Sequence, residues 1–370
     1  MLSDQMFGNL REVSIEDLLG RTPVMLERAV VRETVAGSRI LVTGGGGSIG
    51  SELCRQIARY SPAELTIFEQ CEFNLYRIEQ LVLKEWPSLR LNAILGDVTD
   101  SAAVRDAVMT AKPDVIFHAA AYKHVPLLQG QVRQAVRNNV IGTRTMAEAA
   151  LEFGVKEFVL ISTDKAVRPT NIMGATKRAA EKLVQGLNNL GGTRFITVRF
   201  GNVLDSAGSV VPLFREQIRV GGPVTVTHPE VTRYFMTIPE ACQLILQAAA
   251  VGEGGEIFVL DMGEPIRIRY LAEQMIRLSG KRVGQDVSIE FVGLRPGEKL
   301  TEELFLEDEK PMPTPHAKLL LARSVKQDVD EIRSNIRGFE DAIVAFDEKK
   351  LLNLLRELVP EFTDEKNRIE

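Results

Sequence analysis

Arg39-Ile-Leu-Val-Thr-Gly-Gly-Gly-Gly-Ser-Ile-Gly50 is the stretch that decides the fold. A short apolar run ends in four glycines, and Glu52 to Tyr60 follows with helical spacing. Glycines at such a strand-to-helix corner permit a tight turn, let the backbone approach a pyrophosphate and let the helix pack on the strand. The helix start then offers free N–H groups and the positive end of its dipole. Thr43, Gly44, Gly47, Ser48, Ile49 and Gly50 are therefore expected to hold the diphosphate of a dinucleotide. The next apolar run, Leu65–Glu69, ends in an acid about twenty residues on, where a carboxylate bonds ribose hydroxyls and repels a 2′-phosphate. Gln70 and Cys71 supply no cation for that phosphate, so NAD is the expected cofactor. Asp97-Val98 follows a third apolar run and is placed to meet the adenine. Glu69 as a solvated strand end and Asp97 as a plain turn acid are the alternative readings.

Outward from this motif the chain alternates. Strands are predicted at Leu91–Leu95, Val115–Ala120, Phe158–Ser162 and Phe195–Arg199, and helices at 73–84, 102–110, 132–153 and 175–190. Continuous apolar strands alternating with helices imply a parallel sheet covered on both faces, a Rossmann-type doubly wound α/β fold. The expected organisation is a helical extension at 1–37, a nucleotide-binding domain at 38–200 rejoined by 240–262, a smaller interleaved C-terminal substrate lobe at 201–239 and 263–325, and a helical segment at 326–370. A short helix is predicted at Ser14–Leu19. The net charge of −5 gives no general attraction to nucleic acid, and Cys54, Cys71 and Cys242 lack metal-ligand spacing, so no metal is expected. No run reaches the length of a membrane span and no signal peptide opens the chain, which points to the cytoplasm.

Several motifs then appear in order: His118-Ala-Ala-Ala121, Asn139-Val-Ile-Gly-Thr143, Ser162-Thr-Asp-Lys-Ala166, Met173-Gly-Ala-Thr-Lys177, Arg199-Phe-Gly-Asn-Val203 and Leu294-Arg-Pro-Gly-Glu-Lys299. With Ala121-Tyr-Lys-His-Val-Pro126, they make residues 10–360 resemble the CapD/WbpM-type polysaccharide biosynthesis dehydratases, extended short-chain dehydrogenases that convert UDP-N-acetylglucosamine to a UDP-4-keto-6-deoxy sugar. Most of that superfamily carries Tyr four residues before the active-site Lys; here Met173 precedes Lys177, and a thioether exchanges no proton. The long, membrane-associated branch of the dehydratases resembles this chain in the same change.

The resemblance implies Lys165 as the base at sugar carbon 5, Asp164 as the acid for the departing hydroxyl, Thr163 as a partner of the carbon 4 hydroxyl, and Lys177 on the nicotinamide ribose. It adds Ala119, Ala120, Ala121 and Asn139 to the cofactor side. Arg233 and Arg295 are expected on the diphosphate or uridine, Asn202 on phosphate, Glu298 on ribose, and Lys123 and His124 near the sugar. On the residues alone, Asp164-Lys165 also reads as an ordinary ion pair and His124 as a packed loop histidine. Working as base and acid, the pair needs desolvation and tuning that move both groups towards neutrality. A related UDP-sugar epimerase and a non-catalytic NAD-binding protein are the rival readings. The resemblance further implies a homo-oligomer paired through the 132–153 helix, and a tether to the inner face of a bacterial membrane in a longer parent protein.

Overall fold

The computed structural model describes residues 28–322 and 329–363; the helix predicted at Ser14–Leu19 lies outside them. After α1 (Arg28–Val35) the alternation runs β1 (Arg39–Thr43), α2 (Ser48–Ala58), β2 (Glu64–Glu69), α3 (Glu72–Glu85), β3 (Leu91–Leu95), α4 (Ser101–Ala111) and β4 (Val115–His118). It continues through α5 (Val125–Leu128), α6 (Val132–Val136), α7 (Gly142–Glu152), β5 (Glu157–Ile161), α8 (Ile172–Asn188) and β6 (Arg194–Arg199). Every residue of β2, β4 and β5 is buried, which requires helices on both faces. Where the sequence provides caps the helices start on them: the Asp100 carboxylate accepts from the Ala102 and Ala103 N–H groups, and Asn171 from that of Gly174.

The sheet order is β3-β2-β1-β4-β5-β6, extended by Ile257–Leu260, Leu319–Ala322 and Pro311–Pro313. Pairing is parallel as far as Ile257–Leu260 and antiparallel beyond it. Strand order reverses at β1, so a crevice opens at the carboxyl ends of β1 and β4, the usual ligand position in such sheets. One core, including Val140, Ala179 and Phe339, fills one face; another, including Leu53, Ile57 and Leu244, fills the other. A separate core of Phe214, Ile218, Val224, Leu271 and Met275 belongs to the interleaved lobe.

Two expectations need correction. The predicted 132–153 helix is broken by a π-helical turn at Arg137–Ile141. That turn brings Asn139 inward, where its amide bonds the Tyr122 N–H at 2.8 Å, the Tyr122 carbonyl at 3.0 Å and the Thr176 hydroxyl at 3.0 Å. One side of this helix is packed by the chain's own closing helices, Val329–Ala345 and Glu348–Leu358. Arg133 Nε donates to the Ile343 carbonyl at 2.8 Å there, and Arg144 pairs with Glu340. Finally, the 263–325 segment is divided: Ile268–Leu278 and Ile289–Phe291 sit in the lobe, whereas 311–322 joins the central sheet. Among the described residues no helix is long and apolar enough to cross a membrane, and no cluster of metal-ligating side chains occurs.

Candidate active site

The glycine corner is built by close approach. Gly44 has φ +63°, and a Cβ there would lie 2.8 Å from the Ala120 backbone; a Cβ on Gly50 would lie 2.1 Å from the Gly44 carbonyl oxygen. Gly47 caps α2 with no side-chain bond to its first N–H groups, leaving them for a ligand. Ser48 faces the same opening and accepts from the Ala207 N–H at 3.2 Å, tying the lobe to this corner. Beside it lies a recess of ≈ 140 Å³ lined by Gly44, Glu69, Val98, Ala119, Ala120 and Ala121. Glu69 is anchored at its rim, accepting from the Gly46 N–H at 2.9 Å and the Cys71 N–H at 3.0 Å.

Thr43 and Asn139, both expected on the cofactor, are buried and bonded within the protein. Thr43 Oγ1 is 2.8 Å from His118 Nδ1, and His118 Nε2 is 3.1 Å from Thr143 Oγ1. This buried chain clamps β1 to β4 and α7 at the strand ends beside the crevice. Burial, and secondarily the charge of Lys177, pushes the His118 pKa down to about 3, so the clamp is neutral. Asp97 accepts from the Thr99 N–H at 2.8 Å, the turn role the sequence left open.

The main cleft, ≈ 910 Å³, runs from the glycine corner to the lobe. Gly47, Ser48, Ile49 and Gly50 line its cofactor end, and Lys123, His124, Thr163, Lys165, Met173 and Lys177 its middle. Asn202, Arg233, Arg295 and Glu298 line the part formed with the lobe. Two motifs far apart in sequence meet here: Thr170 Oγ1 and Asn171 Nδ2 donate to the Gly297 carbonyl at 2.9 and 3.0 Å, and Lys299 Nζ to that of Val167 at 2.9 Å. Arg233 donates to Glu298 at 3.0 Å, and Glu298 also accepts from the Thr227 hydroxyl at 2.9 Å. Arg295 is exposed.

Asp164 is fully buried behind the cleft wall. Its Oδ1 accepts from Thr163 Oγ1 at 2.9 Å and Lys165 Nζ at 3.0 Å, while its Oδ2 is buried without a hydrogen-bond partner. Lys165 Nζ also donates to Asn202 Oδ1 at 3.0 Å and stands 3.8 Å from Glu302 Oε1. Asn202, expected on phosphate, lines the cleft and holds the lysine through Oδ1. The expected drift of Lys165 towards neutrality is reversed: burial lowers its pKa, but Asp164 and Glu302 together outweigh burial and the net direction is upward. Lys177 does move towards neutrality, pushed down to about 8 by burial against the opposing charge of Glu181. Solvent reaches the Lys123 chain, yet protein atoms crowding its ammonium lower its pKa; burial and the charge of Lys123 lower that of His124. Behind this wall, fully buried Arg199 joins β6 to Glu181 at 2.8 Å and Glu309 at 2.7 Å, and Ser162 donates to Glu181 at 2.6 Å.

The sequence assigned no role to Glu302, His118 or Arg199, although His118 and Arg199 open two of the motifs and Glu302 lies close to the 294–299 motif.

A doubly wound sheet with a glycine corner, and a lobe closing over an ionisable cluster at the strand ends, define a Rossmann-type protein of the extended short-chain dehydrogenase class. The chain belongs to the polysaccharide biosynthesis protein family, whose profile matches residues 40–324. It is 48% identical over 352 residues to the capsular polysaccharide biosynthesis protein CapD of Staphylococcus aureus, covering 94% of this chain and 58% of that one. It therefore spans little more than half the length of that relative. Identity is 33% over 282 residues to a UDP-N-acetylglucosamine 4,6-dehydratase (inverting) of Campylobacter jejuni, covering 74% of this chain and 79% of that one. It is 32% over 277 residues to a UDP-glucose 4-epimerase of Rickettsia prowazekii, covering 73% and 78%. Among solved structures, Pen from Bacillus thuringiensis superposes with a TM-score of 0.73 at 32% identity, covering 79% of this chain and 91% of that one.

Proposed function

We propose that the chain dehydrates UDP-N-acetylglucosamine to a UDP-4-keto-6-deoxy-N-acetylhexosamine with NAD as resident cofactor. The observation that carries this reading is the Asp164–Lys165 pair, held at 3.0 Å in the wall of the cleft beside Thr163 and Lys177. Relatives on both sides of the choice share about a third of the sequence, so identity does not choose between dehydratase and epimerase. Epimerisation at carbon 4 has no use for an acid–base pair beyond that carbon, whereas elimination across carbons 5 and 6 needs both members.

The residues present fit NAD. Gly47, Ser48, Ile49 and Gly50, which line the cleft at the start of α2, would take the pyrophosphate, the Glu69 rim would take the ribose, and Lys177 lies where the nicotinamide ribose would reach. NAD⁺ bound there would supply reversible hydride acceptance to the sugar, with no net redox change over the reaction. Thr163 orients the carbon 4 hydroxyl. Uncharged Lys165 removes the carbon 5 proton, and Asp164 delivers a proton to the departing carbon 6 hydroxyl by way of Thr163, whose hydroxyl bridges it to the cleft. Arg233 and Arg295 grip the diphosphate, since guanidinium matches phosphate oxygens in a forked geometry. Glu298 meets the uridine ribose, and Lys123 and His124 approach the sugar. Met173, buried in the wall, contributes packing and no proton.

The test is incubation with UDP-N-acetylglucosamine in D₂O, followed by mass spectrometry and proton NMR. Loss of one water with deuterium at carbon 5 is expected, and Lys165→Met should reduce the rate at least ~100-fold, the scale of a positioned base. A new stereoisomer of unchanged mass would replace the dehydratase reading with the epimerase.

A further inference from the structure

Lys165 Nζ is shared among Asp164 at 3.0 Å, Asn202 at 3.0 Å and Glu302 at 3.8 Å. Glu302 lies just past the 294–299 motif, is 4% exposed, and leaves Oε2 buried without a hydrogen-bond partner. Lys165, Asp164, Arg233 and Lys299 are the charged groups around it, Arg233 Nε at 4.0 Å. A carboxylate is costly to bury unless a cation claims it. Asp164 cannot serve Lys165 as counter-ion throughout the reaction, because it must carry a proton in order to act as an acid. At that stage the ammonium formed when Lys165 takes the carbon 5 proton faces neutral Asp164 and neutral Asn202, and Glu302 is the carboxylate left beside it.

We infer that Glu302 is the standing counter-ion of Lys165, a positioning residue that sets the proton affinity of the base without touching the sugar. The inference rests on the dehydratase reading. Burial pushes the Glu302 pKa up, but Lys165, Arg233 and Lys299 oppose that rise, and protonation of Asp164 removes the neighbouring negative charge that adds to it. No proton moves to Glu302: the carbon 5–hydrogen bond breaks, the new N–H bond forms on Lys165, and the resulting positive charge faces the Glu302 carboxylate. Two carboxylates on one ammonium make Lys165 a stronger base that is less often free. Removing one makes it a weaker base that is free at lower pH.

Glu302→Gln, in the full chain loaded with NAD, keeps the shape and removes the charge. The acid limb of kcat, which follows loss of the Lys165 proton, is expected to move down by one pH unit or more. The high-pH plateau should fall by roughly three- to tenfold as basicity is lost, and KM should stay within about threefold. Glu302→Asp should return the limb most of the way. The Lys165 midpoint is read independently of turnover from the pH dependence of its acylation by a small amine reagent, with Lys165→Met as blank, and should fall by the same amount in Glu302→Gln. An unmoved midpoint, or a kcat reduced equally at every pH, would overturn the inference and leave Glu302 a structural residue. A wild-type chain that exchanges no carbon 5 proton would remove the dehydratase reading instead, and the midpoint would still decide whether Glu302 sets Lys165.

Discussion

Acid should weaken this protein through His118, and the structure sets the size of the effect. The imidazole is fully buried between Thr43 and Thr143, and its pKa is about 3 in the fold against an ordinary 6.5. A base whose folded pKa is depressed binds fewer protons folded than unfolded. Its stabilising contribution is complete above pH 6.5, declines as pH falls below that value, and is exhausted near pH 3. At ~1.4 kcal/mol per pH unit, one such group removes about 2 kcal/mol between pH 7.5 and 5 and about 3 kcal/mol by pH 4. Buried Glu181, its pKa brought down to about 2 against burial by Arg199 and Arg178, and Glu157, pushed up to about 7 by burial, also titrate. The comparison must therefore be between wild type and His118→Asn, which retains both acids. Urea unfolding at half-unit pH steps should show a gap of roughly 1–3 kcal/mol at pH 7.5, the cost of disturbing a buried hydrogen-bonded chain, that narrows steadily towards pH 4. Because the clamp holds β1 against β4 at the crevice, NAD affinity of the wild type should fall over the same range. Parallel stability curves for the two proteins, or a His118 Cε1 resonance that titrates near pH 6.5, would refute the argument.

Two further outcomes follow from packing. Arg199→Met leaves buried Glu181 and Glu309 with only Arg178 as a cation, at 3.1 and 4.0 Å, and should cost about 3–5 kcal/mol in chemical denaturation, part of it recovered by Glu181→Gln in the same chain. Gly50→Ala places a methyl 2.1 Å from the Gly44 carbonyl and must displace the corner, so calorimetry should find NAD binding weakened at least ~10-fold for a strain of 1.4 kcal/mol or more.

Legibility differed between local and long-range features for physical reasons. β1 and β3 begin and end where the sequence places them, because an apolar run bounded by glycine or polar residues is a local signal. The π-turn at Arg137–Ile141 was not legible, since the apolar spacing on either side reads as one helix and the insertion is held by Asn139 reaching the Tyr122 backbone. Pro311–Pro313 fell within the 263–325 stretch expected in the lobe, yet at a sheet edge a missing N–H costs little, and the strand pairs with Leu319–Ala322.

The same division runs through the site. The glycine corner and Asp164-Lys165 are contiguous and could be read; the charge state of Lys165 could not, because it depends on Glu302, brought in by the fold. This bears on Met173. A chain that had merely lost its tyrosine would have no reason to keep an unpartnered carboxylate oxygen on both Asp164 and Glu302, each deep in protein and each a cost to stability. Two such oxygens flanking one lysine are strain that packing alone would remove, and strain of this kind is tolerated where chemistry uses it. On the dehydratase reading the proton work absent from Met173 falls to the charged cluster around Lys165, and the pH dependence of Glu302→Gln is the measurement most directly exposed to that argument.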